Sequence, residues 1–144
     1  MDLGQQAGYS FNYNSELSDT LDSHRLALLA EKQGKQKEVV HEISRRYFEE
    51  GVQLADRNNL LDVAHEFGVE GAKDYLDSTE GVDDVLSSVR FWVREKHVES
   101  IPVALITSGN FSTTVHGSAS PTEFLQIFRQ IESYWLEQQS HTEL

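Results

Sequence analysis

The side chains that could act as nucleophiles, bases or metal ligands are six histidines, 24 carboxylates and a scatter of hydroxyls, with no cysteine among 144 residues. His24, His41, His65, His97, His116 and His141 are widely spaced. None stands in a His-Glu-x-x-His or His-x-His arrangement that would turn two imidazoles toward one ion. His65-Glu66 on one helix comes nearest, and solvated or hydrogen-bonded histidines account for the set, so no metal site is expected. Glu49-Glu50 and Asp83-Asp84 fall at helix ends or faces, and Asp83-Asp84 in a first turn favours the helix dipole. Gly109 and Gly117 are separated by strand residues, and Gly68 and Gly71 lie between helices, so no phosphate-cradling loop is expected. There is no Gly-x-Ser-x-Gly elbow. Without cysteine there is no disulfide, no thiolate metal site and no thiol redox chemistry. Pro102 is more specific: it opens a strand, the one place in a ladder where its missing N–H is tolerated. The Ile101-Pro102 bond is a candidate for the cis isomer, with a trans proline at a strand start as the alternative.

The elements that must position these residues can be read from spacing. Residues 1–17 are polar apart from Tyr9, Phe11 and Tyr13, whose alternation suggests a short strand with three aromatics on one face. Thr20 or Ser18 can cap a helix in which Leu21, Leu28 and Leu29 follow helical spacing up to Gly34. A second helix is expected over 35–50, burying Val39, Val40, Ile43, Tyr47 and Phe48 and ending at Gly51. Asp56 is the N-cap of a third over 57–67, with Leu60, Leu61, Ala64 and Phe67 as its apolar stripe. A short helix over 71–76 and a longer one over 81–97 follow, the latter because Val82, Val85, Leu86, Val89, Trp92 and Val93 recur three and four apart. The basic residues Lys32, Lys35, Lys37, Arg45 and Arg46 are interrupted by Glu31, Glu38 and Glu42, which reads as a solvated face.

At 101 the period changes. Residues 101–107 and 111–115 are β-rich and flank the turn residues Ser108-Gly109-Asn110, which predicts a hairpin. Ser120-Pro121-Thr122-Glu123 then combines a Ser N-cap, Pro at the first helical position and a capping-box Glu. That helix is expected to bury Phe124, Leu125, Phe128, Ile131 and Trp135 and to end near Leu136, leaving a frayed polar tail. A hairpin alone is marginal, so its edge must be covered, twisted away or paired with another chain.

Twelve basic against 24 acidic side chains give a net charge of −12, which argues against nucleic acid and anionic membranes as partners. Length favours one domain over 1–144. No apolar run is long enough to span a bilayer, and the first 14 residues lack both a secretory apolar region and an Arg-rich presequence, so a cytoplasmic protein is expected.

The wording of several segments is similar to a known family. Residues 20–26 (Thr-Leu-Asp-Ser-His-Arg-Leu), 46–51 (Arg-Tyr-Phe-Glu-Glu-Gly), 100–103 (Ser-Ile-Pro-Val) and 115–124 (Val-His-Gly-Ser-Ala-Ser-Pro-Thr-Glu-Phe) resemble the DsbA-like thioredoxin-domain family, in its cytosolic FrnE-like branch. The resemblance runs from about Gly8 to Trp135. It implies an α+β, incomplete thioredoxin-like fold: a helical insertion subdomain of about five helices over 18–98, then a ββα unit over 99–136. Members of the family begin with a strand, a Cys-x-x-Cys helix start and a second strand, none of which is found in this sequence. By resemblance Pro102 matches the family's cis-proline and Ile101 the residue whose backbone meets substrate; Ser100 replaces the usual glycine before them. The family's Gly-Ala-Gln-Pro loop is one residue longer here, as Gly117 to Pro121. His24 and Arg25 match a recurrent His-Arg pair and are the site-adjacent candidates, with a packing role as the alternative.

The function expected is that of a truncated or degenerate member of a protein disulfide oxidoreductase family, without the dithiol and without cofactors, because thiol–disulfide exchange needs a thiolate. A binding or scaffold module is the alternative, using the hairpin edge and the Pro102 loop to form a homodimer or accept a strand from a protein partner. An enzyme acting through His24, Arg25 or His116 is a third possibility.

Overall fold

The computed structural model describes residues 3–14 and 16–142. Met1 and Asp2 of the polar leader, Glu143 and Leu144 of the expected tail, and the side chain of His141 lie outside the described residues. The chain forms two compact units, Met1–Val89 and Arg90–Leu144.

The first unit holds α1 (Leu3–Gln6), α2 (Leu21–Lys32), α3 (Gln36–Arg45), α4 (Arg57–Glu66), α5 (Ala72–Asp77) and the start of α6 (Val82–Arg94). Asp56 caps α4 as expected, its carboxylate accepting from the backbone N–H groups of Asn58 at 3.0 Å and Asn59 at 3.2 Å. The core lies between α2, α3, α4 and α5, where Leu26, Val39, Leu60, Val63 and Leu76 are fully buried. Each such side chain contributes about 1.5–3 kcal/mol through removal from water. On α2 the stripe is carried by Leu26 and Ala30, with Leu29 partly buried, rather than by Leu21 and Leu28.

Two expectations fail in this unit for one reason. Residues 9–13 form no strand, and the helix expected over 35–50 stops being α-helical at Arg45, where a π-helical turn, Arg46–Glu50, takes over. The wider turn leaves the Phe48 carbonyl to accept the Asn12 N–H at 2.6 Å. The leader thus docks on a helix end instead of a sheet. Its aromatic alternation survives as ring packing: Tyr9 stacks on Phe11 at 6.1 Å, and Phe11 meets the Phe48 edge at 5.8 Å. Phe48 and Val40, expected inside, are exposed.

The second unit contains the end of α6, a two-stranded antiparallel sheet of β1 (Val103–Ser108) and β2 (Phe111–His116), and α7 (Pro121–Thr142). Gly109, at φ 57°, occupies the first central position of the two-residue turn, where a II′ hairpin requires glycine. The predicted capping box is formed: the Ser120 N–H donates to Glu123 Oε2 at 2.6 Å and the Glu123 N–H to Ser120 Oγ at 3.3 Å. α7 runs six residues past the expected end because Glu137-Gln138-Gln139 are good helix formers and no Gly or Pro interrupts them. None of the described residues of this unit is buried. Trp92 on α6 and Leu125, Phe128 and Trp135 on α7, all expected inside, are about half exposed. Helical periodicity marks these apolar faces, but among the described residues nothing covers them enough to bury them.

Candidate functional site: a cleft beside the Ile101-Pro102 loop

Alternation along the hairpin divides its two faces. Ser108, Phe111 and their same-face neighbours are half-buried, with Trp135 Nε1 donating to Ser108 Oγ at 2.9 Å and the Tyr134 ring 6.2 Å from Phe111. The opposite face carries Val103, Leu105 and Thr107 of β1 and Ser112 and Thr114 of β2, paired Leu105 with Thr114 and Thr107 with Ser112. With Trp92, Lys96, Val98 and Ile101 these residues line a cleft of about 630 Å³. The segment between α6 and β1 is folded over so that the Val98 N–H reaches the Trp92 carbonyl at 3.0 Å, with His97 left-handed at φ 53°. Lys96 Nζ lies 5.4 Å from the Phe91 ring centroid and is the cation of the cleft wall.

At the mouth of this cleft the Ile101-Pro102 peptide bond is cis, and the Ile101 side chain is 88 % exposed. The Pro102 carbonyl accepts the Gly117 N–H at 2.8 Å. Antiparallel ladders alternate, so this bond, with the pairing of Ala104 to Val115 and Ile106 to Thr113, directs the even-numbered residues of β1 toward β2. The N–H and C=O groups of Val103, Leu105 and Thr107 then point away from β2. His116 stands opposite Val103 in the register and is exposed.

His24 and Arg25 lie in the first unit, whereas Ile101 and Pro102 lie in the second. His24 is exposed on α2. Arg25 is 3 % exposed, and every one of its five N–H donors is spent. Nε donates to the Glu80 carbonyl at 2.9 Å. Nη1 donates to Asp22 Oδ1 at 2.7 Å and the Leu76 carbonyl at 3.3 Å; Nη2 donates to the carbonyls of Tyr75 at 2.6 Å and Ser78 at 2.7 Å. It therefore closes the C-terminal end of α5 and offers no donor to a ligand. Among the described residues, no group of three histidines or carboxylates is gathered in a way that could hold a metal.

The family model of the DSBA-like thioredoxin domain matches residues 2–127. The chain belongs to that family. No curated protein matches it. As a DSBA-like thioredoxin domain the chain comes from an oxidoreductase family and has the mixed helix-and-strand architecture that membership implies, while its own 144 residues contain no cysteine. Among the described residues, no helix is long and apolar enough to cross a membrane.

The family resemblance, with Pro102 at a strand start, drew attention to Ile101 and Pro102, and nothing in the sequence pointed to the cleft around them. Periodicity places Trp92 in a buried stripe, and Lys96, Val98, Leu105, Thr107, Ser112 and Thr114 stand in no motif. One signal was available: from Ser100 to Thr122 the sequence has no Asp, Glu, Lys or Arg, in a chain that is 25 % charged.

Proposed function

We propose that this DSBA-like chain carries out no thiol–disulfide exchange and is a polypeptide-binding member of its family, of the FrnE-like, cytoplasmic branch, holding an extended segment against the Ile101-Pro102 loop and the hairpin. The observation that carries the reading is the absence of cysteine: exchange proceeds by attack of a thiolate on a disulfide sulfur, and no residue of this sequence supplies one. Binding is supported by the cleft, whose walls are apolar side chains and hydroxyls with one cation, Lys96, and by the outward-directed backbone groups of β1 beside it. Main-chain pairing along such an edge is a general way of taking up an extended peptide without demanding a particular charge.

An insulin-reduction assay with dithiothreitol tests the first part; the purified chain is expected to leave the uncatalysed rate unchanged, and turnover would refute the reading. Titration with an uncharged, β-prone hexapeptide tests the second. The expected result is slowed amide exchange at Val103, Leu105 and Thr107 together with a change in Trp92 emission. Unchanged exchange at saturating peptide would count against it.

A further inference from the structure

We infer that the strand taken up by the β1 edge is the β1 edge of a second copy, giving a four-stranded antiparallel sheet about a two-fold axis at Leu105. The inference rests on the polypeptide-binding reading above and names the occupant.

The register makes the edge its own complement. The outward N–H and C=O groups belong to Val103, Leu105 and Thr107, a set symmetric about its middle member. Antiparallel pairing about Leu105 sets Leu105 against Leu105 and Val103 against Thr107 of the other copy, forming about six main-chain hydrogen bonds with none of these groups left over. The charge pattern agrees. Edge strands of soluble proteins are normally guarded by Lys, Pro or inward charges. Here the strand itself contains no proline, Pro102 preceding it, and no formal charge occurs between Glu99 and Glu123, so an uncharged edge meets an uncharged edge. Residues 90–144 carry four basic and six acidic side chains against eight and eighteen in 1–89, so copies that join through the second unit meet with the least self-repulsion.

The energetics of the hairpin favour the same occupant. Two strands are marginal in water and need further strands or a packed helix, and the α7 contacts at Ser108 and Phe111 support the face opposite the cleft, not the cleft face of Leu105. No residue of the second unit is buried among those described, and Leu105 is 47 % and Ile101 88 % exposed. Doubling the sheet places Leu105 beside its symmetry mate and extends the apolar cleft face across the join. The outer edge of β2, where Ser112, Thr114 and His116 face outward, offers a more polar surface for such pairing.

Sedimentation velocity over a concentration series tests the inference. The expected result is a shift from the 16.4 kDa chain to twice that mass, accompanied by concentration-dependent slowing of amide exchange at Val103, Leu105 and Thr107. Leu105→Pro removes an N–H that β2 does not use, and Leu105→Lys sets two like charges opposite each other; both are expected to be monomeric while the Ala104 and Ile106 amides stay protected. Mixing Leu105→Lys with Leu105→Glu is expected to restore a heterodimer. A chain that stays monomeric throughout, or a dimer that survives both single substitutions, overturns the inference. A monomer whose β1 amides are protected by the hexapeptide overturns this inference alone and leaves polypeptide binding intact.

Discussion

Arg25 gives the sharpest test of whether a motif residue serves the site or the scaffold. Its guanidinium is 3 % exposed and donates to Asp22 and to the carbonyls of Tyr75, Leu76, Ser78 and Glu80. Its carbon lies 5.3 Å from the centroid of the Tyr75 ring. Lysine has three donors on one atom and no fork, so Arg25→Lys leaves at least two of these acceptors unpaired. With two acceptors at about 1–2 kcal/mol each, the lower half of the range for a buried acceptor left without a donor because Ser78 still donates to the Tyr75 carbonyl, the loss is about 2–4 kcal/mol. Arg25→Ala also removes the closer of Asp22's two cationic partners and the guanidinium lying over Tyr75, and is expected to cost about 3–5 kcal/mol, the range for removing one partner from a buried ionic network. Urea unfolding followed by far-UV circular dichroism reads this directly. With a slope of about 1.5 kcal/mol per molar, a 3 kcal/mol loss lowers the midpoint by about 2 M. A midpoint for Arg25→Ala within about 0.5 M of the parent would refute the argument, because the α5 carbonyls would then not depend on this side chain.

The remaining predictions concern the same helical unit. Glu42 is 8 % exposed and holds both Arg45, bidentate at 2.7 and 2.8 Å, and Arg46 at 2.7 Å; the hydrogen bonds from Arg45, then those from Arg46, lower its pKa from 4.5 to about 2. Because the folded value lies below the unfolded one, its contribution is complete above pH 4.5 and is lost as the pH falls toward 2. Acid titration of stability should therefore show a loss of at most about 3 kcal/mol across that window, and Glu42→Gln should abolish this part of the slope; an unchanged slope in the variant would overturn it. Gly81 sits at φ 76°, where an added Cβ would fall inside the Tyr75 hydroxyl oxygen, so Gly81→Ala should cost at least about 2 kcal/mol from backbone strain and overlap together. The Tyr75 hydroxyl is buried and has no hydrogen-bond partner among the described residues. Tyr75→Phe should accordingly be neutral or stabilising by up to about 1 kcal/mol, and should recover part of the Gly81→Ala loss in a double-mutant cycle. Strict additivity in thermal or urea unfolding would show that the two residues do not meet.

What could be read from the sequence was whatever is decided locally. The Asp56 cap, the Ser120-Pro121-Glu123 start, the Gly109 turn and the change of period at 101 each depend on a few adjacent residues and their own backbone groups, and each is found where the spacing places it. The Arg45-Arg46 pair shows the limit. Beside Glu42 it reads as alternating charge on a solvated face, yet Glu42 is enclosed, and Arg46 bridges from it at 2.7 Å to Asn59 at 2.9 Å and Glu66 at 2.6 Å on α4. Charge order along a chain does not say which side chains a neighbouring helix will cover.

The sequence by itself determined the family, the helix-then-hairpin order, the absence of a thiol and the uncharged stretch around Pro102, since all of these are matters of residue identity and short-range spacing. Tertiary structure decided what those residues face. It turned a predicted strand at 9–13 into a leader docked on a π turn, because the Phe48 carbonyl accepted the Asn12 N–H. It enclosed Arg25 among five acceptors contributed by residues as far along the chain as Glu80. It also left Trp92, Ile101 and Leu105 uncovered, because an apolar period specifies that a face seeks burial and only the packing of the whole chain specifies whether anything lies against it.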